Sequence, residues 1–247
     1  MAEALDIESL ELAALKAWPA VTVSRLGDWW LRSSEGFTGR ANSALPLGDP
    51  GQPLPVAVDA VEAFYRRIGR PPLIDVPQPL AQQVADELTG RGWRVMSTVL
   101  VQVIALKSLI DVTPAGERFV LDGRPSEAHL QQIAEQRNGL PRSAMHVLTS
   151  VSPLAFVELW DGSSLISRGR GTVTDGRLGL FTIATATEAR GRGLARAAIG
   201  RLARWAGELG ATSSYLQVEA SNSRALRLYD RLGFQTHHQY TRYGLAA

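Results

Sequence analysis

The stretch Arg190-Gly191-Arg192-Gly193-Leu194-Ala195 joins two segments of different period. Before it, Leu178 to Thr185 is β-prone; after it, from about Arg192 to Leu209, the apolar residues Leu194, Ala198, Leu202, Trp205 and Leu209 recur at helical spacing. The spacing predicts a strand, a glycine-containing turn and a long amphipathic helix. In such a junction the free N–H groups of the first helical turn and the positive end of its dipole face one point. Gly191 and Gly193 let backbone approach a ligand without a Cβ in the way. Arg190, Arg192 and Arg196 add charge-assisted bonds. A diphosphate is the natural guest; a plain arginine-rich helix start is the bland alternative. The fingerprints of two common phosphate loops fail. There is no Gly-Lys-Ser/Thr, and Arg196 stands where a dinucleotide-binding turn needs its third glycine.

Working outward, Leu154–Trp160, Leu165–Val173 and Leu178–Thr185 read as three strands joined by the turn pairs Asp161-Gly162 and Asp175-Gly176. Phe119–Leu121 looks extended and Ser126–Gln136 helical. After the long helix come a strand (Tyr215–Val218), a helix (Asn222–Leu232) and a last strand (Phe234–Tyr243). The pattern Arg/Gln-x-x-Gly-x-Gly/Ala is filled by Arg190, Gly193 and Ala195. The run Leu216-Gln217-Val218-Glu219-Ala220-Ser221-Asn222, continuing through Tyr229 to Leu232-Gly233-Phe234, follows at the right distance. In these two blocks the chain resembles the GNAT superfamily of N-acyltransferases, over about residues 153–243. It departs from the superfamily just before the turn, where Thr185-Ala186-Thr187-Glu188-Ala189-Arg190 lacks the usual Val and Pro.

The resemblance implies an acyl-coenzyme A-dependent N-acyltransferase that carries acetyl from acetyl-CoA, used as a co-substrate, to a primary amine on a small molecule or peptide. It implies that Ile183, Ala184 and Thr185 present backbone groups to the pantetheine arm. It implies also that Arg190 to Arg196 grip the pyrophosphate, Asn222 bonds the pantetheine, and Tyr229 protonates the leaving thiolate. Asn222 and Tyr229 are seven apart, two helical turns, so both are expected on one face. A half-buried core tyrosine is the other reading of Tyr229. The general base is open: Glu219, after the Tyr215–Val218 strand, is the first candidate, Glu158 the second, with Asp175 and Glu188 read as turn and cap residues. A non-catalytic acyl-CoA sensor or scaffold is the alternative function.

The first half repeats the pattern. A helix is expected near residues 3–17, including Glu3 and Leu5, then strands over Val21–Leu26 and Trp29–Arg32. Helix, strand, helix, strand follow over Val56–Ile68, Pro71–Val76, Leu80–Leu88 and Trp93–Leu106. A shift of 141 residues carries Gly69 onto Gly210 and Gly92-Trp93 onto Gly233-Phe234 without a gap. The same shift places Asp49-Pro50-Gly51-Gln52-Pro53-Leu54 under the phosphate loop, Ala81 under Asn222 and Leu88 under Tyr229. Two prolines remove two N–H donors, and Asp49 puts negative charge where phosphate would sit. The expected fold is therefore α/β (α+β): two GNAT-like domains, each a mixed, mostly antiparallel twisted sheet flanked by helices. Residues 1–110 form a degenerate copy and 111–247 the catalytic one, beginning near Asp111. The polar loop Gly36-Phe37-Thr38-Gly39-Arg40-Ala41-Asn42-Ser43 is the candidate for completing a substrate cleft or an interface, with a purely structural loop as the other reading.

Bulk composition sets the limits. Net charge is +2, from 26 basic and 24 acidic residues, with only Lys16 and Lys107 as lysines. No basic stripe marks a nucleic-acid partner. With no cysteine, disulfides, thiolate metal sites and a thiol nucleophile are excluded. His237 and His238, adjacent on a strand, are expected on opposite faces; His129 and His146 lack ligand-spaced neighbours, so no metal site is expected. No apolar run reaches membrane-spanning length and the first residues lack a signal pattern, so a cytoplasmic protein, monomer or homodimer, is expected.

Overall fold

The computed structural model describes residues 6–110 and 119–245. Asp6 caps α1 (Ile7–Ala17), its carboxylate accepting the Ser9 N–H at 2.5 Å. There follow β1 (Thr22–Leu26), β2 (Trp29–Ser33), β3 (Ala44–Leu45), α2 (Leu54–Arg67), β4 (Leu73–Gln78), α3 (Gln82–Gly90), β5 (Arg94–Ala105) and the short α4 (Lys107–Ile110). The second half holds β6 (Phe119–Asp122), α5 (Glu127–Arg137), α6 (Ser143–Thr149), β7 (Leu154–Asp161), β8 (Ser164–Thr174) and β9 (Arg177–Thr185). It ends with α7 (Leu194–Glu208), β10 (Ser213–Glu219), α8 (Ser223–Leu232) and β11 (Gln235–Gly244). The expected elements are found with small shifts at their ends; β3, α4 and α6 were not expected. Glu3, Leu5 and the expected start of a second unit at Asp111 lie outside the described residues.

All eleven strands form one sheet, in the order β1-β2-β3-β4-β11-β5-β10-β9-β8-β7-β6. Pairing is antiparallel except for β3 with β4 and β9 with β10. Two separate sheets were expected; a single continuous one is found. The reason is an exchange of last strands. β5, from the first half, lies between β10 and β11, while β11, from the second half, lies between β5 and β4. Shifting by 141 residues lays α2 on α7, β4 on β10, α3 on α8 and β5 on β11 within a residue or two at most ends. It also reverses the order β3-β4-β11-β5-β10-β9 onto itself, so the repeat has a pseudo-twofold axis between β5 and β11.

Amphipathic helices fill both faces. On one face of the second half, Ala198, Leu202 and Ala206 of α7 pack with Leu216 and Val218 of β10 and with Tyr229 and Leu232 of α8. On the other face α1 and α6 pack with Trp18, Phe181 and Tyr215. Alternation along β10 makes this possible: Leu216 and Val218 face one layer and Tyr215 the other. Leu202 is fully buried, and Leu202→Ala would cost about 2–5 kcal/mol.

β9 changes course halfway along. Its pairing with β8 slips at a bulge, from Arg168 opposite Ala184 to Arg170 opposite Phe181. Thr182 within the bulge has φ 50°. Before the bulge, Arg177–Leu180 pair in parallel with Ser213–Leu216; β10 runs on to Glu219 without β9. The two strands therefore part, as a bulge permits.

Candidate active site

Where β9 and β10 part, a groove of about 1010 Å³ opens between the ends of β9, α7 and α8. Ile183, Ala184, Thr185, Arg190, Gly191, Gly193, Leu194, Ala195, Arg196, Asn222 and Tyr229 line it; Arg192 alone of the residues expected to bind the donor does not. A turn of 3-10 helix, Thr187–Ala189, turns the chain out of β9. The Arg190 guanidinium donates back to the Thr185 carbonyl at 3.4 Å. Gly193 is the N-cap of α7 at φ 77° and offers no side-chain acceptor, so the first-turn N–H groups stay available. Gly191 has φ 78°. A Cβ at either glycine would meet nothing within 4 Å. The backbone conformation, not crowding, therefore requires glycine in the ligand-free loop.

α8 closes the groove. Asn222 is its N-cap, Oδ1 accepting the Ala225 N–H at 3.1 Å, and it lines the groove. Tyr229, two turns on, is 9% exposed, packs edge-on against Phe234 and lines the groove. Its hydroxyl has no hydrogen-bond partner among the described residues. Burial pushes its pKa up to about 12. Arg224, Arg227 and Arg231 line the same groove.

A second cavity, of about 150 Å³, lies on the opposite face of the sheet, on the α1 side. Gln217 and Glu219 reach it from β10, Thr38, Gly39 and Arg40 from the loop before β3, and Arg137 from the end of α5. The polar loop singled out in the first half thus lines a cavity together with the end of β10. Glu219 is exposed there, on the opposite face from Tyr229, beside the same parting of β9 and β10.

This architecture has known counterparts. The family model described as "Probable histone acetyltransferase Rv0428c C-terminal" matches residues 4–244. The chain belongs to this acetyltransferase family. "Uncharacterized N-acetyltransferase YobR" of Bacillus subtilis is 28% identical over 245 residues, spanning 95% of this chain and 98% of that relative. "Probable histone acetyltransferase Rv0428c" of Mycobacterium tuberculosis is 29% identical over 243 residues, 94% of this chain and 72% of that one. Among solved structures, a GCN5-related N-acetyltransferase from Kribbella flavida superposes with TM-score 0.73 at 18% identity, covering 97% of this chain and 95% of that one. A tandem GNAT protein from the clavulanic acid biosynthesis pathway does so with TM-score 0.63 at 14% identity, covering 96% and 87%. The mixed sheet flanked by helices is the GNAT fold.

Two further expectations fail in this acetyltransferase. Glu158 does not face the cavity. It is buried, accepting the Ser126 N–H at 3.0 Å and lying 3.0 Å from His129 Nδ1, so it ties α5 to β7. His237 and His238 are not on opposite faces. A register shift between Thr236 and His238 brings their Nδ1 atoms to 2.9 Å, and His238 Nε2 lies 2.8 Å from Glu11. No group of three or more His, Asp or Glu side chains among the described residues could hold a metal ion. No described helix is long and apolar enough to cross a membrane. Two further sets of arginines line the cavities. Arg224, Arg227 and Arg231 carried a signal, their spacing of three and four along α8. Arg40 stood out only as one residue of the polar loop 36–43, and Arg137 carried no signal, because only the fold joins the two.

Proposed function

We propose that the chain transfers acetyl from acetyl-coenzyme A to a primary amine by direct attack of the amine on the thioester. The observation that carries this reading is the parting of β9 from β10 between two cavities on opposite faces. A thioester reaching through that gap from the groove meets an amine arriving at Glu219. The first-turn N–H groups of α7, with Arg190 and Arg196, suit the pyrophosphate, and Arg224, Arg227 and Arg231 add positive charge along the same groove. The unpaired backbone edge of Ile183–Thr185 suits the amides of the pantetheine arm.

The chemistry then divides between two side chains. The acceptor must be a free amine, since an ammonium has no lone pair. Glu219 takes the proton, directly or through water, as the C–N bond forms. The C–S bond breaks, and the Tyr229 hydroxyl donates its proton to the departing thiolate. Much of the rate enhancement comes from holding the two reactants at one gap.

The first half is a copy that does not bind the donor. Its loop has its N–H groups already engaged: Asp49 Oδ1 accepts the Gly51 N–H at 2.8 Å, and Asp28 Oδ2, from the turn between β1 and β2, accepts the Asp49 N–H at 3.0 Å. Pro53 is the N-cap of α2 and Leu88 is fully buried where the other half has Tyr229. Calorimetric titration of the full chain with coenzyme A is expected to give one site per chain, and acetyl-CoA with an amine panel is expected to release thiol. Two equivalent sites, or no thiol release with any amine, would sink this reading.

A further inference from the structure

The cavity at Glu219 carries more positive charge than its own residues satisfy. Three guanidinium groups, Arg40, Arg137 and Arg242, line it against the single carboxylate of Glu219. Arg242 is already matched: its Nε and Nη2 donate to Asp75 at 2.7 and 2.9 Å. Arg40 and Arg137 are not. Among the described residues no carboxylate lies within 4.0 Å of either, and Glu219 makes no ion pair. Arg40 donates to the Gln217 side-chain oxygen at 3.1 Å. Its guanidinium carbon lies 5.0 and 5.6 Å from the ring centres of Trp18 and Phe181. Burial holds its pKa below the usual arginine range. Asp75, bound to Arg242, acts on Arg40 only from beyond 4.0 Å; a desolvated cation with no carboxylate in contact is unfavourable, and an anion entering beside it relieves that.

The loop that delivers Arg40 is built for position. Asn42 staples it: Oδ1 accepts the Ser34 and Gly36 N–H groups at 2.7 and 2.9 Å, and Nδ2 donates to the Phe37 and Thr38 carbonyls, each at 2.8 Å. Thr38 sits at φ 58°, unfavourable for a β-branched residue. The Trp18 indole N–H donates to its hydroxyl at 2.8 Å. A Cβ at Gly39 would collide with the Arg242 guanidinium. Strain held by such a network is expected where a side chain must be aimed.

We propose that the acceptor is an amine that itself bears a carboxylate, bound with its acid group on Arg40 and Arg137 and its amino group toward Glu219. The inference rests on the acetyl-transfer reading above. The cavity volume, about 150 Å³, is roughly the size that holds a benzene ring, which suits an amino acid. The same guanidinium groups repel a lysine-rich tail.

The test uses the full chain, acetyl-CoA and matched acceptors: glycine, β-alanine, L-alanine and L-phenylalanine, each against its carboxamide, with phosphoethanolamine and a lysine-rich peptide alongside. The amide's amino group is the weaker base and more of it is unprotonated near neutral pH, so basicity favours the amide. The expected result is that at least one acid outpaces its amide by about 10–100-fold in kcat/KM, the worth of a charged hydrogen-bonded contact. Arg40→Gln and Arg137→Gln should each move that ratio toward one while coenzyme A affinity by calorimetry stays the same. Arg137 lies at the exposed end of α5, so its variant tests the idea even if Arg40→Gln misfolds. A ratio at or below one for every pair overturns the proposal, as does a preference for phosphoethanolamine or the peptide, or an equal loss for acid and amide in the variants. If no amine releases thiol, the transfer reading fails by itself. Calorimetry of the same pairs on the coenzyme A-saturated chain then decides: acid-selective binding lost in Arg137→Gln supports the site, and equal or absent binding overturns it.

Discussion

Tyr229 is kept protonated by where it sits. Its pKa is pushed up to about 12, so the phenol can donate a proton through the whole neutral and mildly alkaline range. In the proposed role an acid works below its pKa, so ionisation of Tyr229 should not lower the rate until the pH approaches about 12. The rate should instead rise with pH as the acceptor loses its own proton, and a pH–rate profile from 6 to 10 that falls at its alkaline end through phenol ionisation would contradict this. Tyr229→Phe should lower kcat by about 100-fold, a typical general-acid contribution, with coenzyme A affinity within about twofold. Equal losses in both would make Tyr229 a packing residue. Gly193→Ala is a different test at the same scale. At φ 77° the added Cβ meets no neighbour but strains the backbone, about 1–2 kcal/mol. Coenzyme A affinity should fall by about tenfold while kcat at saturation holds. The residue scale was partly legible beforehand. The turn, Asn222 and Tyr229 stand in local patterns that sequence displays. Arg40, aimed by an Asn42 staple and an indole donor from Trp18, depends on contacts that no spacing encodes.

Between α5 and β7 the His129–Glu158 contact acts as an acid-sensitive tie. His129 is fully buried, its Nε2 has no partner among the described residues, and its ring meets Phe156 edge-on. Burial outweighs the bond from Glu158, so the imidazole pKa lies below its ordinary value of about 6.5. With the folded pKa depressed, the unfolded chain takes up the proton first. Stability is then complete above pH 6.5 and declines as pH falls toward the folded pKa. The drop in Tm between pH 7 and 5.5 should be smaller in His129→Gln, which cannot titrate; an identical drop would clear this pair of the effect. Elements were read with uneven success, and the reasons are physical. α2, α3, α7 and α8 carry apolar residues at helical spacing beside punctuating glycines. β3, two residues long, and α6, seven, are too short to show a period. The bulge at His237 reversed the expected side of its neighbour, because a single extra residue shifts every position after it.

At the scale of the molecule, the exchange of β5 and β11 binds two similar halves into one sheet. Strand alternation told which residues face in, but not which strand lies alongside, so one sheet was read as two. The halves should unfold together: thermal melts by far-UV circular dichroism and by tryptophan fluorescence should coincide. Saturating coenzyme A at about 100 times Kd should add about 2.7 kcal/mol. That gain should slow hydrogen exchange in β4 and β5 as well as beside the loop, and protection confined to the second half would refute the coupling. The exchange also changes the kinetic order of assembly. Two free copies of one half could trade last strands only by meeting, at a rate set by their concentration. Tied in one chain, β11 reaches β4 as an intramolecular event at an effective concentration on the order of millimolar. Dilution therefore cannot dissolve the pair. One copy of the loop is left free to engage its amides with Asp28 and Asp49 while the other keeps its amides open.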